Sequence, residues 1–306
     1  MLKWTLTLLL LGYIAFSILY VHFRGNLRHR PMRQLSDHSS FLAPINMVLY
    51  FFSKIKDQPY HSESSFPELD VIKENWEMIR DEALTLESHI KGSDKKDDAG
   101  FNSFFRRGWK RFYLKWYGVE HDSAKELCPK TTALLASIPT VKAAMFAELP
   151  AGGELMKHRD PYAGSIRYHL GLRTPNSDDC FISVDGETYS WRDGEAVLFD
   201  ETYIHYVENN TDQSRLILFC DVERPLATKF ANSFNRWFSR NVMAASAAPN
   251  DDNDDTGGIN RLFGKVYKFR EQGKKLKAAN KPIYLLIKWT LLALPLALFL
   301  LFVWWI

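Results

Sequence analysis

Both ends of the chain carry long apolar segments, and these segments limit what the chain can fold into. Residues Trp4–Phe23 contain no Asp, Glu, Lys or Arg, and Ile283–Ile306 contains one Lys near its start. A helix needs about 20 apolar residues to cross the hydrocarbon core of a bilayer. We therefore predict transmembrane helices at residues 1–23 and 283–306. The alternative for the first segment is a cleaved signal peptide, but no small-x-small cleavage site follows it.

Basic residues flank both apolar segments on the sides that face the middle of the chain. By the positive-inside rule, this pattern predicts that the middle of the chain is cytoplasmic and lies near anionic lipid headgroups. Three cysteines without a CxxC pair also favour a reducing compartment over a disulfide scaffold. The basic residues are Arg24, Arg28, Arg30 and Arg33 after the first segment, and Lys265, Lys268, Arg270, Lys274, Lys275, Lys277 and Lys281 before the second.

Helices are predicted in the first part of the middle section. Residues 24–64 form a juxtamembrane segment, in which the apolar stretch Phe41–Ile55 is too short to span and predicts an interfacial or core helix. An amphipathic helix follows, with Ser65 and Glu68 as a capping box. Its apolar residues, spaced by three and four, are Leu69, Ile72, Trp76, Ile79, Ala83, Leu86 and Ile90. Gly92–Gly100 is predicted to be a loop, and a further helix is predicted around Ala124–Ala136.

After the helical first part, short strands are predicted in the second half of the chain. The interleaved basic and aromatic residues of "WKRFYLKWYG" could contact nucleic acid, but a strand of an antiparallel sheet fits them better, and no nucleic-acid partner is expected. After Thr140, turn signals at Asp185-Gly186 and Asp193-Gly194 separate apolar runs, which predicts a sandwich, barrel or jelly roll. The predicted strands lie in "TVKAAMFAELPAGG", "SIRYHLGLR", "CFISVDG", "ETYSWRDG", "EAVLFD" and "SRLILFCDV".

The segment 231–282 is predicted to be helical and basic. Its helices either lie on the membrane or cover the barrel, and periodicity does not decide between the two. The acidic run 250–258 has Thr256 and Leu262 where an EF-hand loop needs Gly and Glu, so it is interpreted as a solvated linker.

One constellation points to metal chemistry. His158 and Asp160 are two residues apart, and residues i and i+2 of an extended strand point to the same side. His205 follows the predicted strand Glu195–Phe199, which a jelly roll can bring back beside the first pair. Two histidines and one carboxylate form the facial triad of non-haem Fe(II) oxygenases, which leaves coordination positions open.

Two further residues support the interpretation of His158, Asp160 and His205 as a metal site. Arg215 begins a strongly apolar strand, where a buried charge requires a partner, and a dicarboxylate co-substrate would provide one. The alternative is a structural ion pair with Asp200 or Asp221. His169 is expected on the same strand face as Arg167, and its alternative role is that of a satisfied core histidine.

These motifs resemble a known family. "AELPAGGELMKHRD", "HRDPYAGSIRYHLGL" and "SWRDGEAVLFDETYIHYVENNTDQSRLILFCDVERP" are similar to the aspartyl/asparaginyl β-hydroxylase family of Fe(II)/2-oxoglutarate oxygenases, over roughly residues 65–230. The resemblance implies a jelly-roll or double-stranded β-helix core with flanking α-helices. It further implies that His158, Asp160 and His205 hold iron. Arg215 and His169 would hold 2-oxoglutarate, with O₂ as co-substrate, and Arg167 would contact an acidic substrate or co-substrate.

Within the family, the chain resembles most the branch that hydroxylates lipid A. This resemblance implies 2-hydroxylation of a secondary acyl chain of lipid A, or of a lipopolysaccharide precursor, at the cytoplasmic face of the bacterial inner membrane, with no obligate protein partner. The two apolar ends and the basic flanks fit a lipid substrate. Alternatives are a peptide Asp/Asn β-hydroxylase, a membrane-anchored zinc hydrolase on the same three ligands, and a non-catalytic lipid-binding scaffold.

Overall fold

The structure is a computed structural model, which describes residues 2–86, 98, 108–251 and 253–290. Short 3₁₀ helices occur at Glu63–Ser65, Pro67–Leu69 and Ala244–Ser246, and a π-helix at Ser239–Met243. The described α-helices are α1 Leu2–Phe23, α2 Pro31–Ser36, α3 His38–Phe51, α4 Asp70–Glu74, α5 Trp76–Thr85, α6 Asp122–Leu127, α7 Pro129–Ala136, α8 Lys229–Phe238 and α9 Gly258–Ala279.

Two antiparallel sheets form the centre of the protein. The larger sheet has the strand order β1-β9-β6-β11-β4-β2-β3, and the smaller has the order β5-β10-β7-β8. From β4 onward the chain passes back and forth between the sheets, as in a jelly roll. The strands are β1 Tyr60–His61, β2 Lys110–Trp116, β3 Val119–Glu120, β4 Val141–Leu149, β5 Glu154–His158, β6 Ser165–Arg173, β7 Cys180–Val184, β8 Glu187–Ser190, β9 Ala196–Phe199, β10 His205–Asn209 and β11 Arg215–Glu223.

The apolar core has one layer between the sheets and one behind the larger sheet. Between the sheets, Met145, Phe199 and Ile217 of the larger sheet pack with Ile182 and Val207 of the smaller. Behind the larger sheet, α5 and α7 cover the other faces of β4, β6 and β11. This arrangement confirms the prediction of a mainly β core with flanking helices.

The strand predictions are confirmed, and four further strands were not predicted. The stretch "WKRFYLKWYG" contains β2, which pairs antiparallel with β4. The unpredicted strands are the two-residue strands β1 and β3, and β5 and β10. In β5 every residue is exposed or half-buried, so its sequence shows neither alternation nor a continuous apolar run.

The amphipathic segment after Glu63 folds differently from the single capped helix that was expected. Its apolar face is buried at Leu69, Ile72 and Ile79 as predicted. The backbone, however, is broken into 3₁₀ turns followed by α4 and α5. The predicted capping box is wrong, because the residue before α4 is Leu69, whose side chain makes no cap.

Two other predictions also need correction. The predicted helix Ala124–Ala136 is divided into α6 and α7 at Pro129, which has no backbone N–H to continue a helix. The run 250–258 is not a solvated linker, since Asn250 and Asp254 are buried. The Asn250 amide bonds the backbone of Tyr113, and the Asp254 carboxylate accepts from Ser123 and Asn250. The predicted loop at Gly92–Gly100 lies almost wholly outside the described residues.

The N-terminal helix α1 is long and apolar enough to cross a membrane by length and composition. It packs along α3, where the Tyr13 hydroxyl donates to the Pro44 carbonyl at 2.6 Å. At the other end of the chain, residues 283–290 are helical. The rest of the predicted second transmembrane helix, residues 291–306, lies outside the described residues.

Candidate metal centre

Strands β5 and β10 bring His158 and His205 together. The two histidines are directly opposite each other in the antiparallel pair, and their ring centroids are 4.2 Å apart. Asp160 lies just beyond the end of β5, where its backbone N–H donates to the Glu201 carbonyl at 2.9 Å. One ligand atom from each of His158, Asp160 and His205 lies within 4.8 Å of the others. The predicted triad is therefore assembled in space, although Asp160 is positioned by a loop rather than by the strand.

Each histidine is oriented by a carbonyl two residues earlier. His158 Nδ1 is 2.8 Å from the Met156 carbonyl oxygen, and His205 Nδ1 is 3.0 Å from that of Tyr203. Because a carbonyl only accepts, Nδ1 carries a proton in both rings, and the neutral form of each ring then has its lone pair on Nε2. Burial and the nearby His158 lower the pKa of His205 to about 3, so this imidazole is neutral at physiological pH. A neutral imidazole is the form that binds a metal ion.

Asp160 is held by Arg167 rather than by the strand pairing. The Arg167 guanidinium donates to Asp160 at 2.8 Å and to Asp221 at 2.8 Å, and it lies 3.4 Å from Glu201. Burial disfavours the charged form of Asp160, but Arg167 and the two histidines outweigh it and hold the pKa of Asp160 well below its usual range. The carboxylate is thus ionised and oriented.

This contact network changes the interpretation of Arg167. The family resemblance implies that Arg167 contacts an acidic substrate or co-substrate, whereas the structure places it among three carboxylates of the chain itself. Burial raises the pKa of Glu201, and Asp221 also accepts a hydrogen bond from the Tyr117 hydroxyl at 2.8 Å. Glu201 and Asp221 were not predicted as parts of the site. Asp221 could have been found from its spacing, since it lies on the same face of β11 as Arg215 and Phe219.

Arg215 is fully buried between the sheets and has no ion-pair partner among the described residues. None of its three guanidinium nitrogens has a hydrogen-bond partner among the residues that the structure describes. The group lies over the rings of Trp191, at 4.2 Å, and Trp109, at 5.1 Å. Burial lowers the pKa of Arg215 to about 10. The alternative of a structural ion pair is wrong, because Asp200 binds Arg24 and Arg224 while Asp221 binds Arg167.

His169 lies between Arg215 and the triad. Its ring contacts Phe199, Phe219 and Trp191, and neither ring nitrogen has a hydrogen-bond partner within the described chain. Burial, reinforced by Arg167 and Arg215, lowers the pKa of His169 well below its usual value. A buried imidazole with two unsatisfied nitrogens is costly, so His169 is not the satisfied core histidine of the alternative interpretation.

The residues present fit an iron ion and a dicarboxylate. Two imidazoles and one carboxylate on one side of a site match the donor set of non-haem Fe(II) enzymes. The guanidinium of Arg215, which has no partner among the described residues, can donate two parallel hydrogen bonds to one carboxylate, as in a bidentate pair. Its burial without any counter-charge is explained if a ligand carboxylate completes it, since such a group is otherwise strongly destabilising.

Comparison with known proteins places the chain in a family of hydroxylases. The family model for aspartyl/asparaginyl beta-hydroxylase matches residues 73–225. An ornithine lipid ester-linked acyl 2-hydroxylase from Rhizobium tropici is 34% identical over 70% of this chain and 76% of that protein. The human aspartyl/asparaginyl beta-hydroxylase is 29% identical over 59% of this chain, which spans only 24% of the human protein. Among solved structures, a prolyl-4-hydroxylase from Pseudomonas putida is 16% identical over 50% of this chain and 88% of that chain, with a TM-score of 0.33.

Proposed function

Because the chain belongs to the aspartyl/asparaginyl β-hydroxylase family, we propose that it is an Fe(II)- and 2-oxoglutarate-dependent hydroxylase of a lipid acyl chain. The substrate that we propose is lipid A or its precursor, hydroxylated at the cytoplasmic face of a bacterial inner membrane. The observation that carries this proposal is the pairing of the triad with the buried, unpartnered Arg215 in the same intersheet space.

Each residue of the centre has a distinct task in this proposal. His158, Asp160 and His205 would hold the ion. Arg215 would bind the distal carboxylate of 2-oxoglutarate, and His169 would donate to the same molecule. When bound, Fe(II) with 2-oxoglutarate and O₂ supplies the oxidation that places one oxygen atom in a C–H bond and releases succinate and CO₂.

The intersheet space around Arg215 is closed to solvent, whereas His158 and Asp160 are partly exposed. The rings of Phe199, Phe219 and Trp191 surround His169. Exclusion of water strengthens the pairing of Arg215 with a ligand carboxylate, since charges interact more strongly at low dielectric. Arg167 keeps Asp160 ionised and in place, so that the carboxylate remains a ligand.

A membrane lipid fits the chain better than a peptide. The helix α1 is apolar enough to anchor the enzyme in a bilayer, and the Rhizobium relative is named for an acyl-chain 2-hydroxylation. The name of that relative also favours a second candidate, the ester-linked acyl chain of an ornithine lipid. We place both candidates in the same chemical class, because each presents an acyl chain at a membrane surface.

The test is mass spectrometry of lipids from cells that express the intact chain or its His158→Ala variant. We expect one added oxygen on an acyl chain of lipid A with the intact chain and none with His158→Ala. A matched control is Glu208→Ala, which alters a partly exposed side chain on the strand of His205 and should retain the product. Added oxygen on ornithine lipid alone would select the second candidate. Unmodified lipids with a folded, iron-loaded protein would reject acyl hydroxylation.

A further inference from the structure

Helices α3 and α8 expose large aromatic side chains to the surroundings of the protein. On α3 these are Phe41 and Phe51, which are 76% and 77% exposed, and on α8 they are Phe230 and Trp237, which are 71% and 58% exposed. We name these four side chains and their two helices the collar. Large apolar side chains that are exposed together on neighbouring helices mark an interaction surface, whereas single exposed apolar residues do not.

The two helices of the collar form one unit. Leu49 of α3 and Phe238 of α8 belong to the same apolar cluster. The chain that leaves α3 also bonds the chain that enters α8, because the Ala227 N–H donates to the Phe52 carbonyl and the Lys54 N–H donates to the Pro225 carbonyl. A partner that covers one helix therefore meets the other as well.

The position of α3 along α1 identifies what covers the collar. The Tyr13 hydroxyl bonds the Pro44 carbonyl, and the Tyr20 ring lies 5.9 Å from that of Tyr50. Tyr13 precedes Phe23, the last residue of α1, by about 15 Å of helix at 1.5 Å per residue. A tyrosine side chain is shorter than this distance. If α1 crosses the bilayer, Pro44 must therefore lie at the depth of the adjacent leaflet.

The composition of the collar agrees with a lipid environment. No Asp, Glu, Lys or Arg occurs within α3, although such residues normally cover the outward face of a helix in water. On α8, Phe230, Phe234 and Trp237 share one face, and Trp237 stacks on Phe234. Trp residues at the edge of an apolar surface, with Lys229 close by, are typical of the interface with anionic lipids.

The collar is also attached to the metal centre. On α3, the Asn46 side chain donates to the Pro161 carbonyl at 2.7 Å and accepts from the Ala163 N–H at 2.9 Å. At the start of the same helix, a ring nitrogen of His38 lies 2.6 Å from the Arg159 carbonyl. The loop that contains Asp160 is thus bound to α3 on both sides of this ligand.

We propose that the collar is embedded in the leaflet from which α1 emerges, so that an acyl chain reaches His158 and Asp160 laterally from the bilayer. This inference rests on the proposed function and deepens it, because it names the route of the substrate. The lipid does not leave the membrane to be hydroxylated. Anionic leaflet lipid, rather than a second protein, covers the four aromatic side chains.

The placement is tested without reference to activity. The full chain is reconstituted in vesicles of phosphatidylethanolamine and phosphatidylglycerol, with a nitroxide label on Phe41→Cys, Trp237→Cys or the control Asp212→Cys. The native cysteines are buried and do not compete for the label. For each label, relaxation by O₂, which dissolves in lipid, is compared with relaxation by a water-soluble nickel chelate. We expect the ratio of the first to the second to be several-fold higher at positions 41 and 237 than at position 212. A ratio like that of the control at either position would overturn the inference, as would protection from both reagents, which indicates a protein partner.

A second measurement separates failure of the route from failure of the proposed function. Phe230→Glu places a charge on the collar far from the ligands. We expect it to lower hydroxylation of lipid in vesicles several-fold while hydroxylation of the same lipid dispersed in detergent, and the melting temperature, stay unchanged. Equal losses in vesicles and detergent would overturn the lateral route. If the labels lie in lipid but the unaltered chain hydroxylates no lipid, the membrane placement of the collar stands and the proposed function is rejected.

Discussion

The guanidinium of Arg159 donates a hydrogen bond to the carbonyl oxygen of Val21, in the last turn of α1. Arg159 is buried and lies in the sequence between the candidate ligands His158 and Asp160. Its guanidinium also lies 3.4 Å from the carbonyl oxygen of Arg24 and 3.4 Å from that of Leu27. Carbonyls at a helix C-terminus lack intrahelical partners and favour a cation. The end of α1 is therefore bound directly to the segment that carries the candidate metal ligands His158 and Asp160.

The first prediction concerns this contact. Arg159→Ala removes the donor to the Val21 carbonyl at the end of α1 and frees the backbone between His158 and Asp160. We expect the dissociation constant for Co(II), used as a spectroscopic substitute for Fe(II), to rise roughly 10- to 100-fold, the range measured for residues that orient metal ligands. Arg80→Ala, which removes a surface arginine paired with Asp81, is the control and should leave this constant unchanged. Unchanged Co(II) binding by Arg159→Ala would show that the contact has no influence on the centre.

The second prediction concerns Arg215. Arg215→Met removes a buried charge that has no partner in the described chain and replaces it with an apolar side chain of similar length. We expect the melting temperature of the protein without 2-oxoglutarate to stay the same or rise, because desolvation of an unpaired charge opposes folding. The increase in melting temperature on addition of 2-oxoglutarate should disappear. Thermal unfolding with and without 2-oxoglutarate measures both effects, and a retained increase would reject the role of Arg215.

The third prediction concerns Arg167 and pH. A carboxylate must be deprotonated to bind a metal ion, and Arg167 is the main group that holds the pKa of Asp160 low. In Arg167→Met the pKa of Asp160 rises, so the loss of metal binding on acidification should occur at higher pH than in the unaltered protein. Breaking this buried pairing should also cost about 3–5 kcal/mol of folding stability. Co(II) titrations across pH 4–8 measure the shift, and superimposable curves would contradict it.

The long strands β6 and β11 of the larger sheet were predictable because their burial is continuous. Every residue of β11 is buried, and all of β6 except its last residue, so both form uninterrupted strand patterns between turns. The two strands that carry His158 and His205 were not predictable in this way. Strand β5 is exposed or half-buried throughout, and the five-residue β10 alternates between buried and half-buried residues. Both depend on pairing distant in sequence, since β10 pairs with β5 on one side and with β7 on the other.

The candidate ligands could be singled out in the sequence because their residue types are chemically specific, whereas the residues that support them could not. Arg159 contacts a helix end 138 residues earlier in the chain, and no local pattern indicates such a contact. Arg24 was expected to face lipid headgroups as part of a basic cluster. It is buried instead and pairs with Asp57 and Asp200, because Asp200 needs counter-charges inside the fold. The pairing of buried charges that are distant in sequence depends on the completed fold, so the periodicity of the sequence does not predict it.

The last prediction concerns acid stability and two histidines outside the metal centre. Burial lowers the pKa of both His29 and His61 to about 4, whereas in the unfolded chain each titrates near 6.5. The folded state therefore binds fewer protons than the unfolded state between these values, and stability falls as pH decreases from about 6.5 to about 4. Each group contributes roughly 1.4 kcal/mol per pH unit within that window and nothing further below it.

His61→Gln isolates the contribution of one group. The variant removes the titration but keeps a polar side chain on β1, so it should gain stability relative to the unaltered protein as pH falls from 7.5 to 5. Chemical unfolding of both proteins at both pH values gives the difference directly. Equal stability differences at pH 7.5 and pH 5 would mean that His61 binds its proton equally well in the folded and the unfolded state, contrary to the burial of its ring.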